Sequence, residues 1–295
     1  VLKGRLGLET ARIPQSDRHG LLWLGRGSLS VDDGTLRFRT VGGGSLPKGD
    51  FAIPFQMVNA ILLEPGTTVS HDALRLMARH GTGLVAVGEG GTRFYASMPF
   101  GPDASALARR QARAWADASG ERLRVARRMY AWRFGEVLPD EEITVLRGME
   151  GARMRELYKR LAEQNGIQWQ GRRYDRNDPD AADPVNQAIN HAASAIEGAA
   201  LTAVAVCGAI PQLGFIHEDS GSAFPLDIAD LFRATVTLPA AFAGVRDAAK
   251  DPRTPLERSV RRHAGKLLRE GDVVARMIDR IKELFDDADD RGGHT

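Results

Sequence analysis

The chain has 295 residues, 43% hydrophobic and 26% charged, with a net charge of +2. This length supports about two domains and a core that needs no covalent staples. The single cysteine, Cys207, excludes a disulfide framework and, in the apolar run Leu201–Cys207, reads as a buried small hydrophobe. Val1–Glu9 has no apolar stretch of signal-peptide length, and nowhere do eighteen uncharged apolar residues follow one another. The expected compartment is therefore the reducing cytoplasm, with no membrane contact. Of the 40 basic residues 34 are Arg and 6 are Lys. Guanidinium groups suit bidentate phosphate binding, but GC-rich coding produces the same excess, so position is more informative than number.

Residues 1–100 hold 16 of the 32 glycines, with short β-type runs between them: Leu21–Leu24, Thr35–Val41, Phe51–Phe55, Ala60–Leu63, Gly83–Val87 and Thr92–Ser97. Leu36–Val41 alternates with period two after Asp33-Gly34, a hairpin turn pair, so a small antiparallel β domain is expected here. Its one helix is expected over Ser70–His80, capped by Ser70 and closed by Gly81. Met98–Asp103 breaks both patterns and places a linker near 98–104. Residues 101–285 then read as a larger all-helical domain, making the fold class α+β, and residues 286–295 as a disordered tail.

In that helical part, Ser105–Phe134 carries eight arginines against only Asp117 and Glu121, and a hairpin broken at Ser119-Gly120 fits the pattern. A solvated basic face and a phosphate-binding surface both account for it. Further helices are expected over Asp140–Asn165, Val185–Gly208, Ala223–Ala234 and Pro255–Leu284. The proline-broken polar stretch from Gln170 to Pro184 reads as a loop. The low charge of the Val185 helix puts it at the centre of its domain.

No phosphate loop, dinucleotide fingerprint, paired-cysteine motif or Gly-x-Ser-x-Gly elbow is present; Gly42-Gly-Gly lacks the lysine of a phosphate loop. What remains is a set of hard ligands: Glu150 in Leu146–Arg153, His217 in Gly214–Asp219, and Asp227 with Asp230 in Leu226–Arg233. The i,i+3 spacing puts Asp227 and Asp230 on one helical face, where their mutual repulsion favours a nearby cation. One imidazole with two or three carboxylates suits Mg or Mn and suits structural zinc poorly. A solvated acidic face and a capping histidine would also produce these residues. His71, His80 and His191 read as structural, His80 lying well against the helix dipole.

At these residues the chain resembles a family, the CRISPR spacer-acquisition integrase known as CRISPR-associated protein one, in its subtype I-E form. The stretches carrying the resemblance run in order along most of the chain: Leu63–His71, Val87–Ser97, Leu146–Arg153, Asn165–Asp175, Gly214–His217 and Leu226–Arg233. The resemblance implies Glu150, His217 and Asp230 as ligands of Mg or Mn, with Asp227 as a further acidic catalytic residue. It implies a DNA path lined by Arg93 in the β domain and by Arg233, Arg258 and Arg261 in the helical domain. The implied activity is transesterification, joining a spacer 3′-hydroxyl to the CRISPR repeat, with DNA endonuclease and disintegration activity at the same site. The alternative is a stand-alone metal-dependent nuclease for branched or repair DNA. Implied partners are double-stranded DNA, a second copy of the chain, and the small CRISPR-associated protein two bridging two such dimers. Arg26 and Glu197 stand where some relatives carry tyrosines.

Overall fold

A computed structural model describes residues 20–43, 46–97, 105–117, 119–136, 142–173, 182–218, 220–251 and 253–285. The chain divides into two compact units, Val1–Val87 with Tyr95–Ala106, and Gly88–Phe94 with Leu107–Thr295. The expected linker at 98–104 and the tail at 286–295 lie outside the described residues.

The first unit is built on two four-stranded sheets. One has the order β1 (Leu21–Leu24), β5 (Ala60–Leu63), β7 (Gly83–Val87), β8 (Phe94–Ser97). The other has the order β4 (Gly49–Ala52), β3 (Thr35–Thr40), β2 (Gly27–Asp32), β6 (Thr67–Val69). Asp33 and Gly34, both at positive φ, turn β2 back onto β3, and Leu29, Leu36 and Phe38 point into the core. The expectation of an antiparallel domain holds for β2–β3 and β3–β4 but fails for β1–β5, β5–β7 and β2–β6, which are parallel. The cause is visible in β5: Ala60-Ile-Leu-Leu is buried at all four positions, the continuous apolar run of a strand inside a parallel sheet rather than the alternation of a half-wet one. The chain reaches β7 from β5 through β6 and α1 (His71–His80). In α1, Ser70 Oγ accepts from the Ala73 amide and Gly81 closes the helix at φ 67°, with Ala73 and Met77 on the buried side.

The second unit is helical: α2 (Ser105–Ala116), α3 (Glu121–Phe134), α4 (Ile143–Asn165), α5 (Pro184–Cys207), α6 (Ala223–Asp230), α7 (Leu238–Lys250), α8 (Leu256–Glu270) and α9 (Val273–Leu284). The expected break at Ser119-Gly120 separates α2 from α3. The single span expected over Pro255–Leu284 is two helices, because Gly271 and a left-handed Asp272 interrupt it. Helix α7 has no counterpart among the expected elements. Helix α5 is the hub, packed against α6, α7, α8 and α9. It is long and apolar enough to cross a membrane, but most of its apolar stretch is buried inside the unit. Asp183 starts it by accepting from the Val185 and Asn186 amides, and Pro184 follows where no amide hydrogen is needed. Cys207 is buried here, which pushes its thiol up to about 12.

Between α6 and α7, Arg233–Thr237 forms a π-helical turn, in which the Thr237 amide donates to the Phe232 carbonyl five residues back. The helix Arg233–Lys250 that this turn opens is bent by 64° from α6. Arg93, expected in the β domain, belongs to the helical unit with the rest of Gly88–Phe94. A Cβ at Gly198 on α5 would sit 2.9 Å from the Arg93 Cα, so the absence of a side chain there lets the Arg93 backbone lie directly on the hub helix.

Candidate functional site

Asp227 organises the site. It lies on α6 without solvent exposure, and its two oxygens accept four hydrogen bonds. Oδ2 takes the amides of Phe215 (2.6 Å) and Ile216 (3.1 Å); Oδ1 takes the His217 amide (2.9 Å) and sits 2.7 Å from His217 Nδ1. Its four hydrogen bonds fix both the loop and the ring. Gly214 opens this loop, and a Cβ there would sit 2.2 Å from the His217 carbonyl oxygen, so the tight turn requires glycine. The Asp227 hydrogen bond raises the affinity of the His217 ring for protons above its ordinary value. With Nδ1 turned to Asp227, Nε2 faces Asp230 at 3.9 Å.

Side chains distant in sequence hold the loop from its other side. Gln111 on α2 is fully buried. Its Nε2 donates to the Ile210 carbonyl (2.9 Å) and the Leu213 carbonyl (3.0 Å), and its Oε1 accepts from the Ile210 amide (2.7 Å). Trp115 Nε1 donates to the Gly214 carbonyl at 3.0 Å, and an Arg147 Nη donates to the Ile216 carbonyl at 2.7 Å. Arg147 precedes Glu150 by one turn of α4, so the helix that carries the glutamate also grips the histidine loop. The sequence reading assigns none of these three residues to the site, because their partners lie 69 to 102 residues away and no local pattern links them.

Glu150 and Asp230 face each other across a guanidinium. Arg133 on α3 donates to Glu150 Oε1 and lies 3.4 Å from Asp230 Oδ2, and its side chain is only 5% exposed. Asp230 also pairs with Arg233 at 3.1 Å, and Arg233 in turn donates to the Tyr158 hydroxyl at 3.1 Å. Burial pushes the Glu150 carboxyl above its ordinary value despite Arg133 beside it, with Asp230 adding to the rise. An open cavity of about 910 Å³ extends from Glu150 and Arg233 along α4 to Trp169, whose ring stacks on Tyr158 at 5.0 Å.

The structure therefore brings together Glu150, His217, Asp227 and Asp230, in two roles. Asp227 is committed to the loop and to His217, while Glu150, Asp230 and His217 Nε2 converge. Oxygen and imidazole donors of this kind are the ligand types that suit a hard divalent ion. Among the described residues no three such groups stand close enough to hold an ion as they are, and the Arg133 guanidinium lies between the two carboxylates instead.

The arginines assigned to the DNA path separate into two places. Arg93 and Arg261 both pair with Glu257 at the start of α8, the first at 3.3 Å, and Arg258 is exposed on the same helix. Arg233 belongs to the acidic site. Glu197 is half-buried on α5, where burial raises its carboxyl, and Arg26 adopts a positive φ of 56° after β1.

The chain is thus an α+β protein whose helical unit gathers two carboxylates and a carboxylate-anchored histidine. The family model described as CRISPR associated protein Cas1 matches residues 21–138 and 134–253. The CRISPR-associated endonuclease Cas1 2 of Thermus thermophilus is 41% identical over 79% of this chain and 70% of its own length. The CRISPR-associated endonuclease Cas1 of Escherichia coli is 38% identical over 92% and 87%. A solved complex of TtCas1 with DNA superposes with a TM-score of 0.80 at 37% identity, covering 91% of this chain and 97% of that one. The chain belongs to the CRISPR associated protein Cas1 family.

Proposed function

We propose that this protein is a metal-dependent DNA integrase and endonuclease of CRISPR adaptation, of the subtype I-E form, using Glu150, His217 and Asp230 to hold Mg or Mn. The observation that carries this reading is the Asp227–His217 pair. A buried carboxylate takes the Nδ1 hydrogen and leaves a basic, oriented Nε2 facing a second carboxylate, the arrangement that supports a metal-ligating histidine. The solved complex of TtCas1 with DNA supports DNA as the substrate. The divalent ion, when bound, supplies Lewis acidity to the phosphoryl group under attack.

The remaining work falls to the chain. Asp227 keeps His217 in one tautomer, Arg233 and Tyr158 orient Asp230, and the arginines around Glu257 place DNA by its phosphates without reading sequence. In the joining step a spacer 3′-oxygen forms a bond to phosphorus while the repeat 3′-oxygen leaves, so phosphodiester bonds are exchanged and no ATP is consumed. The working assembly is a homodimer, two copies of which are bridged by the small CRISPR-associated protein two, in the cytoplasm.

The test is integration of a short duplex with free 3′-hydroxyls into a supercoiled repeat plasmid, with Mg or Mn and the small partner. Covalent joining that disappears in His217→Ala is expected. Cleavage without joining in the presence of a functional partner would replace the integrase reading with that of a nuclease for branched DNA.

A further inference from the structure

We propose that Arg133 is an internal counter-ion of the site, and that a divalent ion binds by displacing its guanidinium from between Glu150 and Asp230. This rests on the metal-site reading above. A nearly buried arginine reaches both carboxylates that an ion would need, touching Glu150 Oε1 and lying 3.4 Å from Asp230 Oδ2. Two carboxylates buried this far repel each other and require a cation, and Arg133 meets that need when no ion does. Both cations cannot occupy the same gap, so the two compete.

The structure also provides room for the displaced group. A cavity of about 200 Å³ adjoins the pair, bordered by Phe134, Arg153, Met154 and Arg160, and it opens to solvent. The Arg133 guanidinium also lies 5.6 Å from the Tyr130 ring, a contact that rotation of the outer part of the side chain can keep. Arg233, the other guanidinium on Asp230, is anchored by the Tyr158 hydroxyl and does not bridge to Glu150, so it does not share this role.

The test is a Mn titration followed by the electron paramagnetic resonance of free Mn, on the wild type, Arg133→Met and Arg133→Gln, with Arg153→Met as control. Arg153 borders the same cavity but pairs with Glu136, so its loss changes net charge equally without freeing the carboxylates. The expected result is Mn binding at least about tenfold tighter in the Arg133 variants. Their melting temperature without ion should be lower than that of the wild type, with a larger rise on adding Mn, and Arg153→Met should bind within about twofold of the wild type. Wild-type binding with unchanged or weaker binding in the Arg133 variants overturns the inference and leaves the metal site standing. Absence of binding in the wild type and in every variant overturns the metal site itself.

If neither Arg133 variant folds, the wild type carries the test through phenylglyoxal labelling mapped by mass spectrometry. Arg133 should be protected without Mn and labelled at least about tenfold faster with it. Protection unchanged by saturating Mn overturns the inference.

Discussion

Glu150 and His217 reach the same site by opposite routes. Glu150 stands on a 23-residue helix whose backbone hydrogen bonds are internal, so its position follows from helical register and from how α4 packs. His217 stands on an irregular loop, where Phe215, Ile216 and His217 give their amides to Asp227 while Ile210, Leu213, Gly214 and Ile216 give their carbonyls to Gln111, Trp115 and Arg147. The difference teaches that a site residue on a helix depends on few partners and can be removed cleanly. One on a loop is only as well placed as the distant side chains that hold it.

The largest expected effect tests the helix route. Glu150→Gln should lower strand transfer at least about a hundredfold. Because Glu150 ionises unwillingly where it is buried, the same change should leave the melting temperature without divalent ion unchanged or raised. A large drop in that temperature would show that Glu150 is structural. On the loop route, Asp227→Ala strips three buried amides and an imidazole of their acceptor and should cost about 3–5 kcal/mol in urea unfolding, with loss of activity following from the fold. A loss of activity at full stability would instead make Asp227 a direct participant.

Gln111→Leu sharpens the contrast further. It touches none of the converging groups, yet it should cost about 2 kcal/mol and reduce kcat about tenfold with KM little changed. Unchanged kcat would show that α2 does not set the histidine.

The smallest effect is in pH. Both Glu150 and His217 bind protons more tightly folded than unfolded. Protonated His217 therefore contributes stability that is fully present below its unfolded value of 6.5 and is lost as pH rises through the raised folded value. The penalty of ionised Glu150 sets in above 4.5. Thermal melts without divalent ion should fall in two steps from pH 4 to pH 8. Glu150→Gln should remove only the lower step and Asp227→Asn the upper.

Local chemistry made much of this legible in the sequence. Ser70 with Gly81 bounded α1, Asp33-Gly34 turned β2 onto β3, and Ser119-Gly120 split α2 from α3, each through a preference carried by one or two residues. Helix α7 escaped although Pro239 stands at its start, where a proline is a first-turn signal. The parallel pairing of β1, β5 and β7 depends on crossovers that no strand encodes alone. At the site, the four acidic and histidine residues stood out by type and spacing, whereas the bridging arginine was one of eight in a basic stretch. Its distinction is a pairing with Glu150 seventeen residues away, which exists only once α3 and α4 are packed.

The π-helical turn after α6 makes the site sensitive to chain length as well as to residue type. Asp230 lies three residues before that turn begins, and α7 is buried against α5 and α8 beyond it. Each residue in a helix turns the chain by about 100°. With α7 anchored, removing one residue from Arg233–Thr237 would swing Asp230 by roughly that angle away from Glu150. A library of single-residue deletions across α6 and α7 should therefore tolerate losses at the far end of α7, near Lys250, and show a gap in active clones centred on the turn.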